Sequence, residues 1–85
     1  MAVNQFTNSE GNLFVGVWGS DAGKWNISYT EDEMCTILEG EAILTDKEGL
    51  TKHVKTGDSF VIAAGFEGTW ETINSIKKLY VIYDK

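Results

Sequence analysis

Apolar and polar side chains alternate along most of this chain with a period of two, the period of β-strands rather than of helices. The clearest stretch is Trp25-Asn26-Ile27-Ser28-Tyr29-Thr30. Strand-like runs also cover Leu13–Trp18, Glu33–Leu38, Ala42–Thr45, Ser59–Ala63, Thr69–Ile73 and Lys78–Tyr83, with Thr51–Lys55 as a weaker eighth. β-Branched and aromatic residues dominate them, as a pleated, half-buried surface favours. Between the runs lie turn signals at Gly19-Ser20-Asp21, Glu39-Gly40-Glu41, Asp46-Lys47-Glu48-Gly49, Thr56-Gly57-Asp58 and Asn74-Ser75. Short strands punctuated by glycine predict an all-β sandwich or barrel of about eight strands. No helical stretches are present of the kind that parallel βαβ units require. Residues 1–10 are expected to form an edge strand or a loose tail.

With 85 residues the chain forms one domain, residues 1–85, and its core is modest because a short chain buries a small share of its surface. Cys35 is the only cysteine, so no disulfide reinforces that core, and a solitary thiol suits a reducing compartment. A second copy of the chain is the remaining source of buried area, which makes a homodimer the expectation. Thirteen acidic residues stand against seven lysines, with no arginine and a net charge of −6. Such a balance repels phosphate backbones and excludes nucleic acid as a partner. Met1–Asn8 lacks the features of an export signal, and no apolar run approaches the roughly 20 residues of a membrane span. The expected location is the cytoplasm, away from membranes.

Two segments carry a family resemblance. Gly23 and five further residues lead to Tyr29-Thr30-Glu31, and six residues stand between Glu33 and Gly40. This spacing resembles the first cupin signature, in which a His-x-His pair stands at the positions of Tyr29 and Glu31. Gly57 to Thr72 resembles the second signature, with Ala63 in place of its proline, Gly68 in place of its histidine and Thr72 in place of its asparagine. Sixteen residues separate the two signatures. The text Tyr29-Thr30-Glu31-Asp32-Glu33, Leu38-Glu39-Gly40 and Ala64–Glu71 is similar to the subgroup that includes the barrel domains of ureidoglycine aminohydrolase. The resemblance runs from Trp18 to Tyr83 and implies a single cupin-type jelly-roll barrel. That enzyme has two barrels and a histidine-containing manganese site, whereas the histidines are missing here, so no metal and no cofactor are expected.

The candidate chemistry is sparse. Glu31 and Glu33 lie two apart and would share a strand face, but two carboxylates without imidazole make a weak metal site. The lone histidine, His53, sits on a polar strand as a surface residue. Cys35 shares the face of Glu33 and is read as a small buried hydrophobe with no cation beside it. Trp25, Ile27 and Tyr29 share one face, and Gly68 shares its face with Trp70 and Thr72. Glycine at a ligand position is expected to open space where these aromatic walls converge. The predicted ligand site is therefore Trp25, Tyr29, Glu31, Glu33, Cys35 and Trp70, holding a small organic molecule that is amine-bearing or cationic. Autonomous catalysis is not expected. Three alternatives remain open: Trp25 and Trp70 fill the interior as plain core; Glu31 and Glu33 hold a divalent cation for hydrolysis; or the chain is a structural or regulatory module acting through its dimer face. That face would carry Met34, Thr36 and Leu38, which point away from Glu33.

Overall fold

The computed structural model describes residues 1–85 and contains strands and turns only. There are six strands: β1 Ala2–Thr7, β2 Leu13–Ser28, β3 Asp32–Asp46, β4 Thr51–Lys55, β5 Ser59–Ile62 and β6 Glu67–Tyr83. They run antiparallel in the order β1-β2-β6-β3-β4, with β5 also paired to β3. The order has two ends, and no hydrogen-bonded ladder joins β1 to β4. The first residues form the edge strand β1, paired with Phe14–Trp18.

Six strands replace the expected eight because three of the five expected turns are creases inside long strands, which joins the eight runs into five strands, and β1 adds the sixth. Gly19-Ser20-Asp21 lies within β2, Glu39-Gly40-Glu41 within β3 and Asn74-Ser75 within β6. The register shifts beside them, between Asp21 and Gly23 in β2 and at Ile37/Glu39 and Gly40/Ala42 in β3. These irregularities sit side by side, since Ser20 and Gly40 both pair with Ile76. A bulge bends its strand, and aligned bulges bend the whole sheet along one line. Gly40 has a φ of +95°, and a Cβ on it would collide with the carbonyl oxygen of Ser75, so the crease depends on glycine here. The other two turn signals hold. Asp46 Oδ1 accepts from the amides of Glu48 and Leu50, and Asp58 Oδ2 accepts from the amide of Lys55.

The crease folds one half of the sheet over the other, and the core lies between them. One half contributes Cys35, Ile37, Phe60 and Ile62; the other contributes Ala42, Leu44, Val54 and Trp70. At the open end Tyr29 carries the β2–β6 pairing one step further, its amide donating to the Phe66 carbonyl and its carbonyl accepting from the Gly65 amide. No helix is long and apolar enough to cross a membrane.

Candidate functional site

Between the two halves a cavity of about 390 Å³ opens to the surface. Pairing register explains its walls. Trp18 on β2 is level with Lys78 on β6, and Lys78 with Ile37 on β3; two residues along, Gly16, Tyr80 and Cys35 make the next inward row. From the opposite half, Trp25 and Trp70 are cross-strand partners. Trp18 stands edge-on to both, at ring-centroid distances of 5.9 Å to Trp25 and 5.8 Å to Trp70. The three rings form an aromatic corner of T-shaped contacts, and Trp70 is held in place by its Nε1–H donating to Thr72 Oγ1 at 2.9 Å.

Five of the six expected site residues line this cavity: Trp25, Tyr29, Glu31, Glu33 and Trp70. Cys35 does not. It is fully buried beneath the wall, its side chain on the same face as Glu33 but one row deeper in the core. Burial pushes its thiol up to about 12, with the carboxylate of Glu33 adding to the rise and Lys78 opposing it. Cys35 therefore stays a protonated thiol at neutral pH. The expectation that no cation lies near it is corrected, because Lys78 Nζ donates to Sγ at 3.6 Å.

Glu33 and Lys78 are the centre of the site. Both are almost wholly buried, at 3% and 5% exposure, and Lys78 Nζ lies 3.1 Å from Glu33 Oε2. Tyr29 donates its hydroxyl proton to Glu33 Oε1. Burial, then the hydrogen bond to Glu33, hold the Tyr29 hydroxyl well above the usual phenol range, so Tyr29 acts as a donor. The ammonium of Lys78 also lies over the rings of Trp70, at 4.6 Å, and Trp18, at 5.1 Å. Two buried ions survive together because each is neutralised and hydrogen-bonded, and no buried polar side-chain atom lacks a partner.

Lys78 and Trp18 are cavity-lining residues that sequence reasoning missed. Lys78 opens the run Lys78–Tyr83 and reads as the polar end of a strand. The signal that could have found it is its phase, since Lys78, Tyr80 and Ile82 alternate with Leu79 and Val81, and one of those faces must point inward. The cation that Glu33 and the aromatic walls were expected to draw from a ligand is thus supplied by the chain itself.

Two further expectations are corrected. Gly68 does not open the cavity: it pairs with Ile27 and Asp46, and a Cβ there would strike the Thr45 carbonyl oxygen. Glycine is needed for the close approach of two strands, and the space arises instead beside Trp18, Glu33 and Lys78. Glu31 and Glu33 also do not act as a strand pair, because Glu31 lies in the turn before β3 and receives a hydrogen bond from its neighbour Thr30. No group of three or more His, Cys, Asp or Glu side chains is placed to hold a metal ion. His53 is exposed on β4, 2.7 Å from Glu41.

The creased antiparallel sheet with a cavity between its two halves is that of a cupin-type domain. The description of an EutQ-like cupin domain matches residues 7–80, and the chain is a member of that family. A solved structure of an ethanolamine utilization protein, EutQ, from Salmonella typhimurium LT2 superposes with a TM-score of 0.85 and 26% identity, covering 96% of this chain and 67% of that one. The EutQ protein of Clostridium difficile gives a TM-score of 0.86 at 18% identity, covering 96% of this chain and 60% of that one. A DUF861 family protein from Thermotoga maritima gives 0.73 at 25% identity, covering 75% of this chain and 73% of that one. The chain thus spans roughly two thirds of the length of the EutQ proteins. No curated protein matches it.

Proposed function

We propose that this domain binds a small organic molecule in the cavity between Trp18, Trp25, Tyr29 and Trp70. The observation that supports this most is the buried Glu33–Lys78 pair, which faces an apolar-walled cavity instead of being sealed by core. A few placed polar groups among aromatic walls are what a small-molecule site requires, and the volume of about 390 Å³ falls in the range of such sites. The ligand chemistry moves away from the amine first expected. An amine would have to approach Glu33 beside the ammonium of Lys78, and like charges in a poorly solvated site repel strongly. A neutral ligand with an apolar body and a carbonyl-type acceptor fits the donors Lys78 and Tyr29 better.

All three tryptophans of the chain border the cavity, so their fluorescence reports occupancy. Titration with benzamide, benzylamine and benzoate separates the possibilities. Benzamide is expected to bind at least about tenfold more tightly than benzylamine, a difference of about 1.4 kcal/mol. The Salmonella relative's part in ethanolamine utilization is the reason for including an amine, and tighter binding of benzylamine would restore the amine reading. No response to any of the three, at millimolar concentration, would overturn the pocket and leave the structural or regulatory module.

The opposite face of the sheet supports a homodimer. Phe6, Val15, Val81, Met34 and Val61 follow one another across five strands in direct register. Phe6, Met34 and Val61 are about half exposed or more, and no charge interrupts the row. The next row, Val3, Val17, Leu79 and Thr36, is equally uncharged. A second copy suits this surface because an isologous contact matches the uncharged stripe to itself. The broad face of a molecule measuring 37 × 26 × 19 Å is on the scale of the roughly 800 Å² per partner that a standard interface covers. Sedimentation equilibrium is expected to give twice the chain mass at micromolar concentration, and Met34→Glu with Val61→Glu is expected to give the monomer. A wild-type chain that stays monomeric at high micromolar concentration would overturn the dimer.

A further inference from the structure

A buried lysine that merely balanced a carboxylate would need no access to open space. Lys78 has it. Its side chain lines the cavity although it is only 5% exposed, and its nitrogen sits 3.1 Å from a carboxylate able to take its proton. The rings of Trp18 and Trp70 flank it at 5.1 and 4.6 Å, so whatever reaches the nitrogen does so through an apolar passage. An amine in an apolar pocket becomes a nucleophile toward carbonyl carbon once its proton is removed, and Glu33 is the acceptor within reach of that proton.

We propose that Lys78 captures a small aldehyde as an imine, with Glu33 as the proton carrier; this rests on the pocket reading above and specifies its ligand as a reactive carbonyl compound. The ammonium of Lys78 passes one proton to Glu33 Oε2, which leaves two neutral groups where there were two buried ions. The amine lone pair forms the bond to the carbonyl carbon, and the second nitrogen proton moves to the former carbonyl oxygen to give a carbinolamine. Glu33 then returns its proton to that hydroxyl, the C–O bond breaks, and water leaves. The product is a protonated imine, a cation again paired with the Glu33 carboxylate and flanked by the same two rings. Charge in the site is the same before and after, so nothing in the binding arrangement must be rebuilt. Tyr29 holds the other oxygen of Glu33 and keeps Oε2 turned to Lys78. No oxidant, metal or further reactant is needed.

Benzaldehyde with sodium cyanoborohydride, applied to the intact chain near neutral pH, tests this by fixing any imine as a stable benzyl amine. Peptide mapping is expected to place the label on Lys78 at a rate at least about tenfold above any other lysine, although those are the more exposed. Lys78→Arg keeps the cation and is expected to lose the label. Glu33→Gln is expected to slow it at least about tenfold while leaving the surface lysines unchanged. Mapping of the wild-type chain decides the matter even if either variant does not fold. Labelling spread over the surface lysines with Lys78 unmodified would overturn the proposal. Tryptophan quenching by benzaldehyde without reductant then tells the two readings apart. Quenching without a label on Lys78 removes the imine and keeps the pocket, and neither signal removes both.

Discussion

Lys78→Met is expected to cost about 3–5 kcal/mol of folding stability, because it leaves the Glu33 carboxylate buried without its counter-ion. The figure is large against the total of about 5–15 kcal/mol typical of a domain. It is so large because Glu33 then keeps only neutral partners, the Tyr29 hydroxyl and the Cys35 thiol, and has no room to turn toward water at 3% exposure. Joining Glu33→Leu to Lys78→Met is expected to recover most of the loss, since replacing both ions of a buried pair with apolar groups of similar size is often neutral or stabilising. Urea unfolding of the two single variants and the double variant measures the coupling directly. Single-variant losses below about 1 kcal/mol would mean that the pair is solvated and that the site is wetter than its geometry indicates. The pair thus has a stability that can be restored without function: the double variant is expected to fold and to bind neither benzamide nor benzaldehyde. Such a result would mark Glu33 and Lys78 as kept for what they do in the cavity, since an apolar pair would serve the fold as well.

Trp70→Ala is expected to lose about 3–5 kcal/mol, the usual cost of truncating a buried aromatic side chain. Trp70 joins the core of the second half to the cavity wall. It packs edge-on to Trp18, lies under the ammonium of Lys78 and donates to Thr72, which in turn contacts Ser20 at 2.9 Å. Removal empties the corner, leaves the Lys78 charge without its ring and opens the cavity into the core. Binding of benzamide is expected to fall with stability. Trp70→Phe keeps a ring in place and is expected to cost less than half as much in urea unfolding, with the hydrogen bond to Thr72 lost. Equal losses for the two variants would show that the hydrogen bond, and not the packing, carries the contribution of Trp70.

These two residues also show how differently a linear pattern exposes a site. Trp70 was legible: its phase with Thr72, and its place in the second signature, put it inside the barrel. Lys78 was not, because a lysine at the head of a strand most often points to water, and nothing local distinguishes one that points inward. Its partner Glu33 is 45 positions away in the chain, and the two come together only through the register of β3 against β6. Gly68 shows the opposite error. A missing side chain was read as space, whereas the strand beside it had moved in to use that space.

Alternation of side chains by itself determined that the chain is all-β and which residues share a strand face. It did so because the two-residue period is a local property of extended backbone, independent of what the strand pairs with. The resemblance to the two cupin signatures implied that the faces of Trp25, Tyr29, Glu33 and Trp70 turn inward. The tertiary structure alone decided that the eight runs join into five strands beside β1, that Lys78 supplies the buried cation, and that Cys35 lies beneath the cavity wall. Each of these depends on register across the sheet. A glycine-rich break can become a turn or a crease according to whether the neighbouring strands bend at the same place, and here Ile76 faces the breaks of both β2 and β3. A buried charge likewise depends on a partner that the fold brings from a distant part of the chain, since neither Glu33 nor Lys78 could remain in the interior alone.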